Sequence, residues 1–295
     1  MANLTKPEFY FPPGESIARR VHEERVVGAL YGQRALLIGA LEPLTYTATM
    51  LSTRSSNLPF LRLARTAKLQ EAVLLGTREE ADCAIASVRR LHERVEGSLP
   101  LAAGRHPPGT HYAAHDPELM LWTLAVIADS ARVMFELFVH LLSEDERELL
   151  WRDYMLFGEL FGLPRQDMPD SYREFNAWMG ARLRSADLHA TPHALEVAPL
   201  MAFEHPVPLI ARPALHLNNL MIKGTLPERV RDMFAIPWSG AQEASYQAIA
   251  RAYRGVRRAI PRPMRQGRNA AFFDVIIRTE RKRGGTETPT LIRSS

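Results

Sequence analysis

The stretch TREEADCAIASVRRLHERV, residues 77–95, decides how this chain is read. Thr77 with Glu80 three positions later is a capping box, the reciprocal pair that satisfies orphan N–H groups where a helix begins. Behind it, Ala81, Ala84, Ile85, Val88, Leu91 and Val95 recur in steps of three and four, the rhythm of a helix with one face in a core. His92 falls within that apolar stripe, whereas Arg89, Arg90, Glu93 and Arg94 fall mostly on the polar side. Gly97 stops the helix. Cys83, beside Ala81, Ala84 and Ile85, reads as a buried, inert thiol rather than a nucleophile.

The same logic, carried outward, finds helices almost everywhere. An irregular arm over 1–15 is followed by helical patterns over 16–30, 33–41, 45–56 and 60–75. Punctuation by Gly104, Pro107, Pro108 and Gly109 makes 98–115 a loop. Asp116 as cap, with Pro117 in the first turn, restarts a helix that runs to about residue 142. Ser143 with Glu146 is a second capping box, opening a helix that ends at Gly162-Leu163-Pro164. Further helices are predicted over 171–183, 193–203, 208–222, 227–234 and 241–259. Only 272–278 (FFDVIIR) competes as a strand, and one strand makes no sheet. With no long polar linker and no repeat, the expectation is all-α: one multi-helix domain over 16–270 and a basic, flexible tail over 271–295.

Bulk properties agree. The chain has 295 residues, 46% hydrophobic and 24% charged, ordinary for a globular protein with a large core. Mean hydropathy is -0.18, and the most apolar stretch, 119–128, stops at Asp129 and Arg132, too short to span a bilayer. The first residues, with Lys6, Glu8 and Pro12-Pro13, lack the apolar core of a secretory signal, so a cytoplasmic protein without a membrane partner is expected. The net charge is +4 and leans on arginines from Arg251 to Arg268. Without a recognisable nucleic-acid module this run reads as a solvated face. A single cysteine rules out an internal disulfide and a cysteine-based zinc or iron–sulfur site.

Three positions stand out for chemistry. A neutral imidazole at His92 in an apolar wall needs a partner for its ring nitrogens, and iron, a backbone carbonyl or a carboxylate would each serve. On burial habits alone the satisfied core histidine is the commoner case. Arg62 and Thr66, four apart, share a helix face amid apolar residues, with Arg65 on a neighbouring face. Facing inward, the pair suits bound oxygen, peroxide or a propionate. The alternative is a surface arginine and a threonine bonded to its own backbone. The other histidines show no ligand rhythm, and G-x-G-x-x-G, P-loop, G-x-S-x-G and C-x-x-C-H motifs are absent.

The ordered set of short motifs resembles one family. RLART at 62–66 is followed by VRRLH at 88–92 with Val95 and Gly97, then Tyr112-Ala113-Ala114 and Asp116-Pro117-Glu118. Leu121-Trp122 with Asp129, Gly158, Gly162-Leu163-Pro164, Pro169 with Tyr172, Gly224-Thr225-Leu226-Pro227, Pro237-Trp238 and 261–265 complete the series. Over roughly residues 18–265 the chain resembles the oxygenase family that includes latex clearing protein, the rubber oxygenase, and the MpaB-type oxygenases.

That resemblance implies an all-helical domain around haem b. It places the proximal iron ligand on His92 and the distal arginine and threonine on Arg62 and Thr66, with Arg65 as a further cofactor contact. It makes the protein an oxidoreductase, most simply an oxygenase, using dioxygen or a peroxide and an electron donor on a small, partly apolar substrate. The departures also matter. The rubber oxygenases carry a lysine where this chain has Arg65, which stays protonated and cannot ligate iron. Relatives with W-V-H contrast with Trp122-Thr123-Leu124 here, and only Glu42 offers itself for their distal glutamate. Two other classes stay open: a haem carrier or sensor without turnover, and a helical binding protein without cofactor.

Overall fold

The structure is a computed structural model that describes residues 8–51 and 59–282. The end of the helix expected over 45–56 and the last part of the tail expected over 271–295 lie outside those residues. Fourteen helices and one two-stranded sheet are present among the described residues. In chain order they are α1 (Ile17–Glu23), α2 (Arg25–Gly39), α3 (Pro43–Leu51), α4 (Pro59–Leu75), α5 (Arg78–His92), β1 (Glu96–Ser98), β2 (His111–Ala113), α6 (Pro117–Phe138) and α7 (Glu144–Phe161). Then come α8 (Tyr172–Arg184), α9 (Pro192–Phe203), α10 (Arg212–Thr225), α11 (Glu228–Met233), α12 (Gly240–Val256), α13 (Arg262–Arg265) and α14 (Ala270–Lys282). The domain is all-α, and no helix of the described residues is long and apolar enough to cross a membrane.

The helix starts obey local chemistry. The capping boxes at Thr77/Glu80 and Ser143/Glu146 both form, and Asp116 accepts the Glu118 N–H ahead of Pro117. At the far end of α7, Gly162 takes a left-handed φ of 101°, which an L side chain rarely adopts. The core is organised around α2 lying along α6. Trp122 of α6 is 1% exposed and its indole N–H donates to the Gly39 carbonyl of α2 at 3.2 Å. Each such large side chain contributes about 1.5–3 kcal/mol through burial alone.

The segment expected as loop 98–115 contains β2 and the last residue of β1, an antiparallel pair with Gly97 opposite Tyr112. A Cβ at Gly97 would lie 2.6 Å from the Tyr112 hydroxyl, so only glycine admits the tyrosine there. The segment expected as a basic tail from 271 begins instead with α14. Phe273, Ile276 and Glu280 share one buried face of it, packed on α4. Helical spacing over that face outweighs the β-branched run that suggested a strand.

Charged residues do much of the joining. Glu24, between α1 and α2, is 1% exposed. Arg257 reaches it with two N–H groups, and the Gln266 amide donates to it at 2.7 Å. Arg265 lies at 3.5 Å, and Arg268 pairs with Glu80 at 2.7 Å. The arginine run read as a solvated face is therefore partly structural: Arg257, Arg265 and Arg268 clamp the C-terminal segment onto the N-terminal helices. A second network runs Arg34–Asp129–Arg132–Glu136–Arg147 at 2.6–2.8 Å per link. Burial pushes the Asp129 pKa up, but Arg34 and Arg132 outweigh it and hold the carboxyl below its ordinary range.

His22 is 3% exposed and shares a 2.7 Å hydrogen bond with the Tyr154 hydroxyl. Burial pulls its pKa from 6.5 down to about 3. The folded state thus binds fewer protons than the unfolded chain between those values. Its stabilising contribution is complete above 6.5 and is lost as pH falls towards about 3. Urea unfolding at about pH 7.5 and about pH 5 should differ by about 2 kcal/mol from this histidine. In His22→Gln that pH difference should shrink by the same amount; an unchanged difference would show that His22 does not carry it.

Candidate functional site

A cavity of about 260 Å³ opens between α2, α3, α4, α6, α9 and α14. It lies near the low end of the roughly 300–1,000 Å³ usual for small-molecule sites. Its walls are mostly apolar, contributed by residues such as Leu36, Met50, Leu63, Ile127, Met201 and Ile276. Arg62 and Thr66 both line it, one turn apart on α4. Arg62 is the only charged side chain among the described walls. Its Nη1 donates to the Thr49 carbonyl at 2.9 Å. Burial draws the Arg62 pKa down from its ordinary value, and the neighbouring Tyr46 phenol acts against that. The Thr66 hydroxyl donates to the Arg62 carbonyl at 3.1 Å, the helical back-bond anticipated as its alternative role. The hydroxyl still offers lone pairs on the cavity side. Arg65 is exposed on α4 and is not a cavity wall.

Sequence reasoning missed three further walls. Tyr46 on α3 lines the cavity, its hydroxyl 2.9 Å from His193 Nδ1. Burial pushes that phenol well above its ordinary range. His205, just past α9, is 8% exposed and lines the same space. Its ring lies 5.4 Å from the Phe60 ring, and burial pulls its pKa down to about 4, so it is neutral near pH 7. Phe273 on α14 is the third. None carries a spacing signal; they meet only because α9 packs on α2, α14 on α4 and α3 on α6. Thr123, next to Trp122 on α6, also lines the cavity and donates to the Leu119 carbonyl at 2.9 Å. Glu42 is 1% exposed but is not a wall: it accepts the Thr45 N–H at 2.6 Å and faces His106 at 3.6 Å.

His92 lies outside the cavity walls. It is half-buried in the last turn of α5, with its ring 5.8 Å from that of His115. Its Nδ1 is buried and makes no hydrogen bond. Burial, with His115 second, lowers its pKa and keeps the ring neutral. The apolar stripe predicted for α5 holds through Ala81, Ala84 and Ile85 and then leaves the core: Val88 is half-buried and Leu91 is 54% exposed. Cys83 is exposed, because it stands on the face of α5 turned away from that stripe.

The two-residue turn at Gly76-Thr77 makes α4 and α5 an antiparallel hairpin. Arg62 and His92 are each about 20 Å along their helices from that turn, so both stand at its open end. Among the described residues no group of three His, Cys, Asp or Glu side chains is placed to hold a bare metal ion.

Neither a curated protein nor a solved structure matches the chain. A family model does match, over residues 19–255, and its description is "ER-bound oxygenase mpaB/B'/Rubber oxygenase, catalytic domain". The match stops short of α13 and α14, so the cavity wall built by Phe273 and Ile276 lies beyond the matched residues. Because the matched residues take in α2 to α11 and nearly all of α12, with the turns bearing Arg62, Thr66 and His92, the chain belongs to this family of oxygenase catalytic domains.

Proposed function

We propose that the protein is a haem b-dependent oxygenase acting on a small, partly apolar metabolite, with His92 as the residue that would hold the haem iron. The observation that carries this reading is the buried, unpartnered Nδ1 of a neutral imidazole at the end of α5. A neutral ring keeps a lone pair for iron, and a buried ring nitrogen without a partner is costly in any other role. A porphyrin brings four ligands of its own, so one imidazole suffices where no three-residue cluster exists. Val88 and Leu91 leave an apolar surface beside His92, suited to the flat face of a macrocycle. Arg65, exposed on α4, and Arg62 would supply the cations for the propionates.

Haem, when bound, supplies the redox chemistry on dioxygen or a peroxide, with electrons from a donor. This chain's side chains do the rest. Arg62 stays protonated and offers several N–H donors to negative charge. The Thr66 hydroxyl, one turn away, adds a further polar contact on the same wall. The apolar walls exclude water and hold the apolar body of the substrate. The same residues would serve peroxidase-type oxidation or dehydrogenation, and oxygen incorporation distinguishes these outcomes.

Titration of the full-length protein with haemin tests the proposal by absorption. The expected result is saturable uptake with the spectrum of an imidazole-ligated haem, lost in His92→Ala and kept in His205→Ala. No uptake, or an unchanged spectrum in His92→Ala, would overturn it. Oxygen consumption by the loaded protein with candidate substrates then separates an oxygenase from a carrier.

A further inference from the structure

We propose that His205 sets the specificity of the cavity by hydrogen-bonding the hydroxyl of a neutral, otherwise apolar ligand, a phenol or an alcohol. The inference rests on the oxygenase reading only in calling this ligand the substrate; the binding site stands on the cavity itself. Local sequence places the ring. Helix α9 ends at Phe203, and Pro206 keeps the residue before it out of the helical region, so His205 leaves the helix. The Asn219 side chain of α10 donates to the Phe203 carbonyl at 2.8 Å and fixes this end of α9. His205 is 8% exposed and packs 5.4 Å from the Phe60 ring, yet it makes no hydrogen bond among the described residues. Burial keeps it neutral near pH 7, so one ring nitrogen carries a proton and the other a lone pair. A buried imidazole without a partner costs free energy that a bound ligand recovers. A ligand hydroxyl both donates and accepts, so it satisfies either nitrogen, whichever holds the proton.

The other polar walls select the same group. The Thr66 and Thr123 hydroxyls give their protons to the Arg62 and Leu119 carbonyls at 3.1 and 2.9 Å, and the Tyr46 hydroxyl is engaged by His193. What each has left to offer a ligand is a lone pair. A polar group that suits them brings its own proton, as O–H does and as an ether, a ketone or a carboxylate does not. The amides of Gln33 and Gln70 are neutral as well. Arg62 gives an N–H to the Thr49 carbonyl and makes a further contact, so it is not an open anchor for an anion, while its charge repels a cation. Leu36, Leu63, Ile127, Met201 and Ile276 wall the rest of the space and suit hydrocarbon.

The test is calorimetric titration of the full-length protein with para-butylphenol, para-butylanisole and para-butylbenzoate. The three share a hydrocarbon body and end in a hydroxyl, an ether oxygen and a carboxylate. The phenol should bind about five- to tenfold more tightly than the anisole, the worth of one buried hydrogen bond, and the benzoate should bind least tightly. His205→Phe should erase the preference for the phenol and keep the affinity for the anisole. His205→Gln, a neutral donor and acceptor, should retain part of that preference. A histidine with only a structural role would instead weaken phenol and anisole together. Ala67→Trp, which fills the space beside α4, should weaken both neutral probes. Circular dichroism confirms that each variant is folded, and if His205→Phe does not fold, the three probes on the unaltered chain together with Ala67→Trp decide. Equal affinity for phenol and anisole, tighter binding of the benzoate, a preference that survives His205→Phe, no effect of Ala67→Trp, or binding of neither neutral probe would overturn the proposal. The titration reads no haem signal, so its failure and failure of haem uptake through His92 are separate results.

Discussion

Asp129→Ala should lose about 3–5 kcal/mol of folding stability, the cost of leaving buried cations without their anion. Arg34 is 3% exposed and meets Asp129 at 2.8 Å, while Arg132 meets its other oxygen at 2.7 Å. The Ser130 hydroxyl and the Thr225 carbonyl also accept from Arg34, at 2.8 and 3.1 Å, but neither carries charge. Truncation therefore removes the one carboxylate that pairs with Arg34 among the described residues. The network ties α2 to α6 and reaches the end of α10, so its loss loosens the helix pair at the centre of the fold. Urea denaturation of the full-length protein checks this. The double variant Arg34→Met with Asp129→Leu should recover more than half of the loss, because apolar replacement of both partners removes the unpaired charge. A loss below about 1 kcal/mol in Asp129→Ala would place the pair among ordinary surface salt bridges.

Glu24→Ala has the second large expected effect, again about 3–5 kcal/mol. Glu24 is 1% exposed and is the common acceptor for Arg257, Arg265 and the Gln266 amide. Removing it leaves two half-buried guanidinium groups facing each other with no carboxylate between them. The damage should be local before it is global. Residues 257–268 should detach first, and amide exchange should rise in α13 and at the start of α14 ahead of α6. Uniform exchange through α6 and α13 would contradict that order. Gly267, whose N–H donates to the Glu23 carbonyl at 2.8 Å, is a convenient reporter.

Much of the fold could be read because its helix boundaries are written locally. Thr77 with Glu80, Ser143 with Glu146 and Asp116 with Pro117 each name a start within four residues, and all three form as read. What was misread depended on distant partners. Residues 270–282 carry basic and β-branched residues that suit a tail or a strand; they become α14 because α4 offers a groove for Phe273 and Ile276. Leu91 obeys the helical rhythm of α5 yet is exposed, because rhythm states which face a residue shares and not how far a partner helix extends. Spacing and motif order singled out Arg62 and Thr66, but the cavity they line exists only after α3, α9 and α14 bring Tyr46, His205 and Phe273 to them. A lone histidine before a proline, as at 205, carries no mark of that destination.

Helix α14 also has a mechanical bearing on Arg62. The Glu280 carboxylate is 1% exposed and accepts the backbone N–H groups of Phe60 and Leu61, at 3.1 and 2.7 Å. It thus serves as a cap supplied from elsewhere in the chain, holding the positive end of α4 at the first turn, which also bears Arg62. Anything that tugs on α14, whether a fused partner, a tether to a surface or a protease cut before residue 280, transmits its strain to the helix bearing the cavity's guanidinium. Attachment points for immobilising this protein therefore belong away from that helix, such as the exposed face of α5 that bears Cys83.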